Sequence, residues 1–398
     1  MALGLLVLLT ISNVARADTL VATLTTGIDA EGLAFDPSNG DIYVCNTVSG
    51  TVSIISGSTN SIVGNITVGT GPEVIVYDPS NKLVYVDDYN QGAVSVISGS
   101  TNQVVTTITV GSLSYDVVFD PTNDDLYSVN YGSGTVSVIS GSSNAVVATV
   151  PVGTDPTAAA VDTANGNVYV TNTESGTVSV ISASTNKVLA TIPVGFEPEY
   201  LAFDPSNGDF YVANTGTGTG PSTVSVISTS TNGVVANVTV GTYPLPILFD
   251  PSNSEVFVAN YDSATVSVIA GSNNAVVATV SVGMFPEGMG LDTANGNVYV
   301  ANALSGTVSV ISAQSVSLLT TITNVGGYPY GVAYDPTNGD IYVSSTSSGT
   351  VSIIAPSAST TAEFPAEVVP VTLVLVLAVG VALARARATT PSSRPQLS

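Results

Sequence analysis

Hydrophobic positions along this chain come in short runs rather than long stripes. The pattern is clearest over residues 162–195. A turn, Asp162-Thr163-Ala164-Asn165-Gly166, leads into Asn167-Val168-Tyr169-Val170-Thr171-Asn172; a second leads into Thr177-Val178-Ser179-Val180-Ile181. A third opens Lys187-Val188-Leu189-Ala190-Thr191-Ile192-Pro193-Val194-Gly195. Each run is rich in Val, Ile, Thr and Tyr and is bounded by Asn, Gly, Ser or Asp, which predicts strands joined by tight turns. The unit recurs. Equivalent aspartates stand at 36, 78, 120, 162, 204, 250, 292 and 335, with steps of 42, 42, 42, 42, 46, 42 and 43. A four-strand unit repeating every 40–45 residues is the period of a propeller blade.

Naming the strands of one unit A to D, strand A ends at the aspartate and is apolar throughout, as in Leu201-Ala202-Phe203. Blades pack on both faces, so such a run need not alternate, and its small size suits the innermost position. Strand D is longer and is expected outermost, where Pro151 and Pro193 are tolerated at a free edge. The one sizeable insertion, residues 215–221, falls between B and C. The two ends of the array complement each other. Residues 19–26 read as a D strand with nothing before it, while the last unit stops after its C strand at Ile354. An N-terminal strand completing the final blade would close the ring and remove both open edges. The expected fold is all-β, an eight-bladed propeller of four-stranded blades spanning residues 18–355.

Composition narrows what such a ring does. Of 398 residues only six are Lys or Arg against 29 Asp and Glu, a net charge of −23. Such a surface repels phosphate backbones, so nucleic acid is not an expected partner. There is no His, which removes His-based triads and the usual haem ligand. The single Cys45 reads as a small buried strand residue.

The termini differ from the array. Residues 1–17 begin with an apolar run and end in Ala15-Arg16-Ala17, the pattern of a signal peptide with Asp18 as the mature start. Residues 356–367 are a Pro/Ser/Thr-rich spacer. Residues 368–384 are apolar and uncharged, the minimum length of a transmembrane helix, and Arg385 and Arg387 open a basic, polar tail (385–398) expected on the inner side.

Tyr169-Val170-Thr171-Asn172, with variants Tyr43-Val44-Cys45-Asn46, Tyr211-Val212-Ala213-Asn214, Phe257-Val258-Ala259-Asn260 and Tyr299-Val300-Ala301-Asn302, resembles the repeat of YVTN-family β-propellers. Asp88 and Ser345 depart from it. That resemblance implies a surface-layer or cell-surface protein of archaea or bacteria, and a ring commonly of seven blades, the alternative to the count of eight. It carries no catalytic residues. The Glu363-Phe364-Pro365 segment, apolar helix and arginines are similar to the PEF-type C-terminal sorting signals of archaeal surface proteins, although Ala362 stands where that motif usually has Pro.

Three features bear on chemistry. The turn aspartates, with Asp41, Asp124, Asp125, Asp209, Glu255 and Asp340, are expected to make one face of the disc acidic, although each turn aspartate alone reads as structural. Five residues before each aspartate the series runs Glu31, Glu73, Tyr115, Thr157, Glu199, Leu245, Glu287, Tyr330. With strand A innermost these ring one mouth of the channel, where converging carboxylates raise one another's pKa or attract a cation, calcium at Glu31 and Glu73 being the candidate cofactor. Tyr89, Tyr131 and Tyr261, in B–C loops of the same face, suit contact with envelope glycan or protein. Asn65 and Asn237 open Asn-x-Thr glycosylation acceptors at one point on strand D. The expected function is a non-enzymatic binding or envelope-structural module anchored at the cell surface. The alternative is a calcium-dependent lactonase-like hydrolase at the channel mouth.

Overall fold

The computed structural model describes residues 18–216 and 222–357. Residues 16–357 group as one compact unit. The expected leader (1–17), membrane span (368–384), tail (385–398) and most of the spacer lie outside the described residues, as does the larger part of the insertion. Among the described residues no helix is long and apolar enough to cross a membrane.

The strands form eight antiparallel sheets of four. Blade 1 is representative, with A at Ala30–Asp36, B at Asp41–Asn46, C at Thr51–Ser56 and D at Ser61–Thr67. The alternative of seven blades is set aside by the sheet count. The eighth sheet is assembled from both ends of the array: Thr19–Thr25 pairs antiparallel with Thr350–Ala355, joining Leu20 to Ile354 and Thr25 to Thr350. Asp18 locks this closure, one carboxylate oxygen accepting from Tyr299 Oη–H (2.9 Å) and the other from the Ser357 N–H (2.6 Å).

The core lies between blades. Tyr43, Cys45 and Ile54 of blade 1 pack on Ile75, Val84 and Ile97 of blade 2, and the same layer recurs until Tyr342, Val351 and Ile353 meet Ile42 and Val44 across the closing seam. Strands B and C are buried on both faces, which is why strand B is apolar at successive positions, as in Ile42-Tyr43-Val44. Strand D has one face in water and alternates, as in the half-buried and exposed positions of Ser61–Thr67. Cys45 is fully buried, and burial pushes its thiol well above its ordinary pKa.

Two residues of the Tyr-Val-x-Asn run are ties rather than functional groups. Tyr43 Oη–H donates to Asn102 Oδ1 of the next blade at 2.7 Å; Tyr85, Tyr169 and Tyr211 do the same to Asn144, Asn232 and Asn274. Tyr342 reaches Asn60 across the seam at 2.6 Å. Asn46 accepts the Gly27 N–H at 2.8 Å and donates to Ser53 Oγ. A Cβ on Gly27 would sit 2.6 Å from Asn46 Cγ, which accounts for the glycine that ends each outer strand.

The turn aspartates need a correction. Their Oδ1 atoms accept the N–H two residues on, as Asp36 does from Ser38 at 2.8 Å, and the residues are buried. The Oδ2 atoms of Asp36, Asp78, Asp120, Asp162, Asp204, Asp250 and Asp335 are turned inward without a partner. Their carboxylates therefore present little surface to water. Of the acids expected on that face, the solvent-accessible ones are Asp41, Asp124, Asp125, Asp209, Glu255 and Asp340.

Candidate functional site

Strand A of every blade is entered through a left-handed corner. The corner residues are Asp29, Gly71, Leu113, Asp155, Glu197, Tyr243, Phe285 and Tyr328, with φ between 49° and 72°. Seven are not glycine, and that conformation costs about 1–2 kcal/mol for each. The corner is held because its carbonyl accepts an N–H from the B–C loop: Thr47 to Asp29, Tyr131 to Leu113 and Ala303 to Phe285 are each 2.8 Å. In six blades a buried proline follows, which fixes the start of the strand. The next side chain then points into the channel.

Glu31, Glu73, Tyr115, Thr157, Glu199, Glu287 and Tyr330 line one cavity of about 420 Å³. The eighth member of the series, Leu245, lines an adjoining cavity of about 290 Å³ with Tyr243, Tyr261 and Asp262. Below the carboxylates a second tier adds Asp116 and Tyr200, and a third tier is apolar, with Leu33, Ile75, Leu201, Met289 and Val332. Burial raises every glutamate of the ring. Glu31 is pushed up to about 8 by burial and then by Glu73 and Asp29; Glu73, Glu199 and Glu287 are pushed up to about 7. Asp116, which accepts the Ala159 N–H at 2.9 Å, is raised by burial to about 6. One oxygen of Glu287, Oε2, is buried and has no partner.

The three loop tyrosines gather at this mouth, but as half-buried rings packed against other aromatic rings rather than free ones. Tyr89 meets Tyr115 edge-on at 5.9 Å and Tyr115 lies 6.0 Å from Tyr131. Across the mouth Tyr261 stacks on Phe285 at 4.2 Å, and its hydroxyl lies 3.3 Å from that of Tyr328. Tyr115 is the most open of the set at 39 % exposure. Asn65 and Asn237 are exposed on strand D of blades 1 and 5, each accepting from a serine hydroxyl on strand C. No group of three or more Cys, Asp or Glu side chains among the described residues could hold a metal ion, so Glu31 and Glu73 are placed together without a third such ligand.

One cluster escaped the sequence reading. Asp87 is fully buried between blades 2 and 3. Its Oδ1 accepts from Ser114 Oγ–H, Ser114 lies 2.8 Å from Ser128 Oγ, and its Oδ2 has no partner. Burial raises Asp87 well above its ordinary value, with Asp116, Asp88 and Glu73 adding to it, which favours the protonated form. The same position in other blades carries Cys45, Val129, Thr171, Ala213, Ala259, Ala301 and Ser344. Thr171 and Ser344 use their hydroxyls to donate to backbone carbonyls of the neighbouring blade, those of Glu199 (3.1 Å) and Glu31 (2.5 Å). Asp87→Thr is therefore expected to raise the melting temperature, and the gain should grow from pH 5 to pH 8. Above the ordinary aspartate range the unfolded residue has released its proton, whereas the raised folded group holds its own to higher pH. A gain independent of pH, measured by calorimetry, would contradict a raised Asp87.

No family model matches the chain, and no curated protein matches it in sequence. Its fold is widely shared. Sqt1 of Saccharomyces cerevisiae superposes with a TM-score of 0.74 at 11 % identity, over 86 % of this chain and 100 % of that one. The computationally designed protein Ika8 gives 0.68 at 16 % identity, over 85 % and 99 %. The WD40 β-propeller domain of Doa1 gives 0.57 at 16 % identity, over 85 % and 96 %. At such identities the likeness is one of fold alone.

Proposed function

We propose that this protein is a membrane-anchored cell-surface propeller that binds envelope glycan or protein, or builds the envelope itself, and is not an enzyme. The reading rests on the mouth. Aromatic residues from different blades form two clusters around one opening, and aromatic rings with polar tips suit both sugar faces and protein surfaces. Ile28, Phe196 and Met284, each more than half exposed, precede three of the corner residues and widen the apolar rim. The resemblance to YVTN-type repeats and the PEF-like C-terminal segment support export, with the propeller outside and Arg385 and Arg387 inside. Glycans at Asn65 and Asn237 would project from the outer strands.

The second reading, a calcium-dependent lactonase-like hydrolase, draws on Glu73, Glu199 and Glu287, whose pKa near 7 is the range of a general base. Against it, no nucleophile is paired with a base among the lining residues. Two measurements separate the readings. Purified protein is expected to bind envelope polysaccharide or to self-associate, and binding should weaken about tenfold in Tyr115→Ala. Lactone and ester hydrolysis is expected to stay at background with and without calcium. Turnover that disappears in Glu31→Gln/Glu73→Gln would establish the hydrolase instead. Protease digestion of intact cells should remove the propeller, and its protection would sink the topology.

A further inference from the structure

We propose that the channel mouth is a binding site for an organic ammonium cation carrying an aliphatic tail. The inference rests on the surface-binding reading and names a ligand for the same opening.

Three observations converge on that chemistry. The first is shape: the cavity of about 420 Å³ is large enough for a small molecule and is tiered from polar to apolar along the channel. A ligand with a charged head and an aliphatic body would match both tiers, the head among the glutamates and the body against Leu33, Ile75 and Met289. The second is unbalanced charge. Glu31, Glu73, Glu199 and Glu287 share the opening with Asp116, and the only basic residues among the described ones, Lys82 and Lys187, lie in an A–B turn and on an outer strand. Glu287 Oε2 is already desolvated and lacks a hydrogen-bond donor, so the carboxylate is left under-compensated beside the opening. The third is the aromatic rim. Tyr115, packed between Tyr89 and Tyr131, lines the cavity beside the glutamates, and aromatic ring faces attract organic cations within about 6 Å. Calcium answers only the charge. It prefers six to eight oxygen ligands, and the described residues supply no three-ligand group.

Proton release follows from the same geometry. The titratable groups facing the head are the four glutamates and Asp116, with Asp29 and Glu197 at the corners and the hydroxyls of Tyr115, Tyr200 and Tyr330. Without a cation, burial keeps the glutamates partly protonated near pH 7, with neighbouring acids adding to it at Glu31, Glu73 and Glu199. A bound cation stabilises their ionised forms, so binding expels protons and tightens as pH rises.

The test is titration calorimetry on the full-length purified chain, in two buffers of different ionisation enthalpy, with butyltrimethylammonium as the probe. This probe does not titrate, so any pH dependence belongs to the protein. The expected result is saturable binding with release of protons, with Kd falling about tenfold between pH 6 and pH 8. Glu31→Gln/Glu73→Gln, which keeps side-chain volume, should weaken binding at least about tenfold and flatten the pH dependence. Tyr115→Leu, which keeps apolar area but removes the ring face, should weaken it about threefold. Melting curves confirm that the variants remain folded. Equal binding of n-pentanol, binding of calcium but not of the ammonium, or affinity unchanged in Glu31→Gln/Glu73→Gln would each overturn the proposal. Envelope polysaccharide binding without ammonium binding would overturn it too, while leaving the surface-binding reading in place.

Discussion

Removing Thr19–Thr25 is expected to lower the melting temperature by on the order of 10 °C and to make the protein prone to association. The strand is the outer member of the last blade, and six of its residues pair with Thr350–Ala355. Leu20, Ala22 and Leu24 lie against the two interblade cores that flank this blade. Each half-buried leucine contributes roughly 1–2 kcal/mol and each strand hydrogen bond about 1 kcal/mol. Their loss also exposes a strand that is otherwise covered on both sides, an open edge ready to pair with another chain. A synthetic peptide of residues 18–26 added to the truncated protein should restore part of the lost stability, because pairing, not covalent continuity, closes the ring. If the truncated protein melts at the parent temperature, this strand is not the closure.

Stability should also fall as the solution is made more alkaline. Glu31 is raised to about 8 and Glu73, Glu199 and Glu287 to about 7, with burial the largest cause in each. Burial also raises Asp87 well above its ordinary value, and Asp88 and Asp116 to about 6. The sign is fixed by which state holds more protons. Between the ordinary carboxylate range near pH 4 and about pH 8 the unfolded chain has released protons that the folded chain still binds, so unfolding becomes easier with each step in pH. Self-repulsion at a net charge of −23 acts in the same direction. Allowing for partial exposure of the glutamates and mutual screening, the melting temperature is expected to drop by roughly 5–10 °C from pH 5 to pH 9. Replacing the four glutamates with Gln should remove much of the slope. A melting temperature that holds steady or rises over this interval contradicts the protonated mouth.

The blade count, the closing strand and the ring at the mouth were legible because each follows from position within a repeat. Where every blade touches only its neighbours, residues at one offset from the turn aspartate occupy one place in the ring. What could not be read depends on atoms of the next blade. Asp162 and its equivalents have the sequence of exposed turn residues, and only the packing of the neighbouring blade shows them buried. The corner residues carry no compositional sign, since Leu113, Tyr243 and Phe285 are ordinary side chains in a conformation usually left to glycine. Tyr261 looked like a free loop ring because Phe285 lies in another loop. Asp87 and Asp116 were open to discovery: each is the sole acid at its repeat position, and comparison of the copies column by column would have isolated them.

The closing strand has a consequence for how the protein is made. Thr19–Thr25 is among the first segments of the array to be synthesised, and its partner Thr350–Ala355 is the last. At ordinary rates of translation the interval between them is on the order of tens of seconds. During that time seven blades can form in turn, each on the one before, while the first strand waits unpaired. The ring is therefore assembled as an open arc, and its final contact is among the most distant in the chain, which makes closure a slow, late step. A ribosome that stops early releases an arc with two bare ends. Delivery across a membrane as an unfolded chain would spare this protein that interval, because both ends would then be present before folding begins.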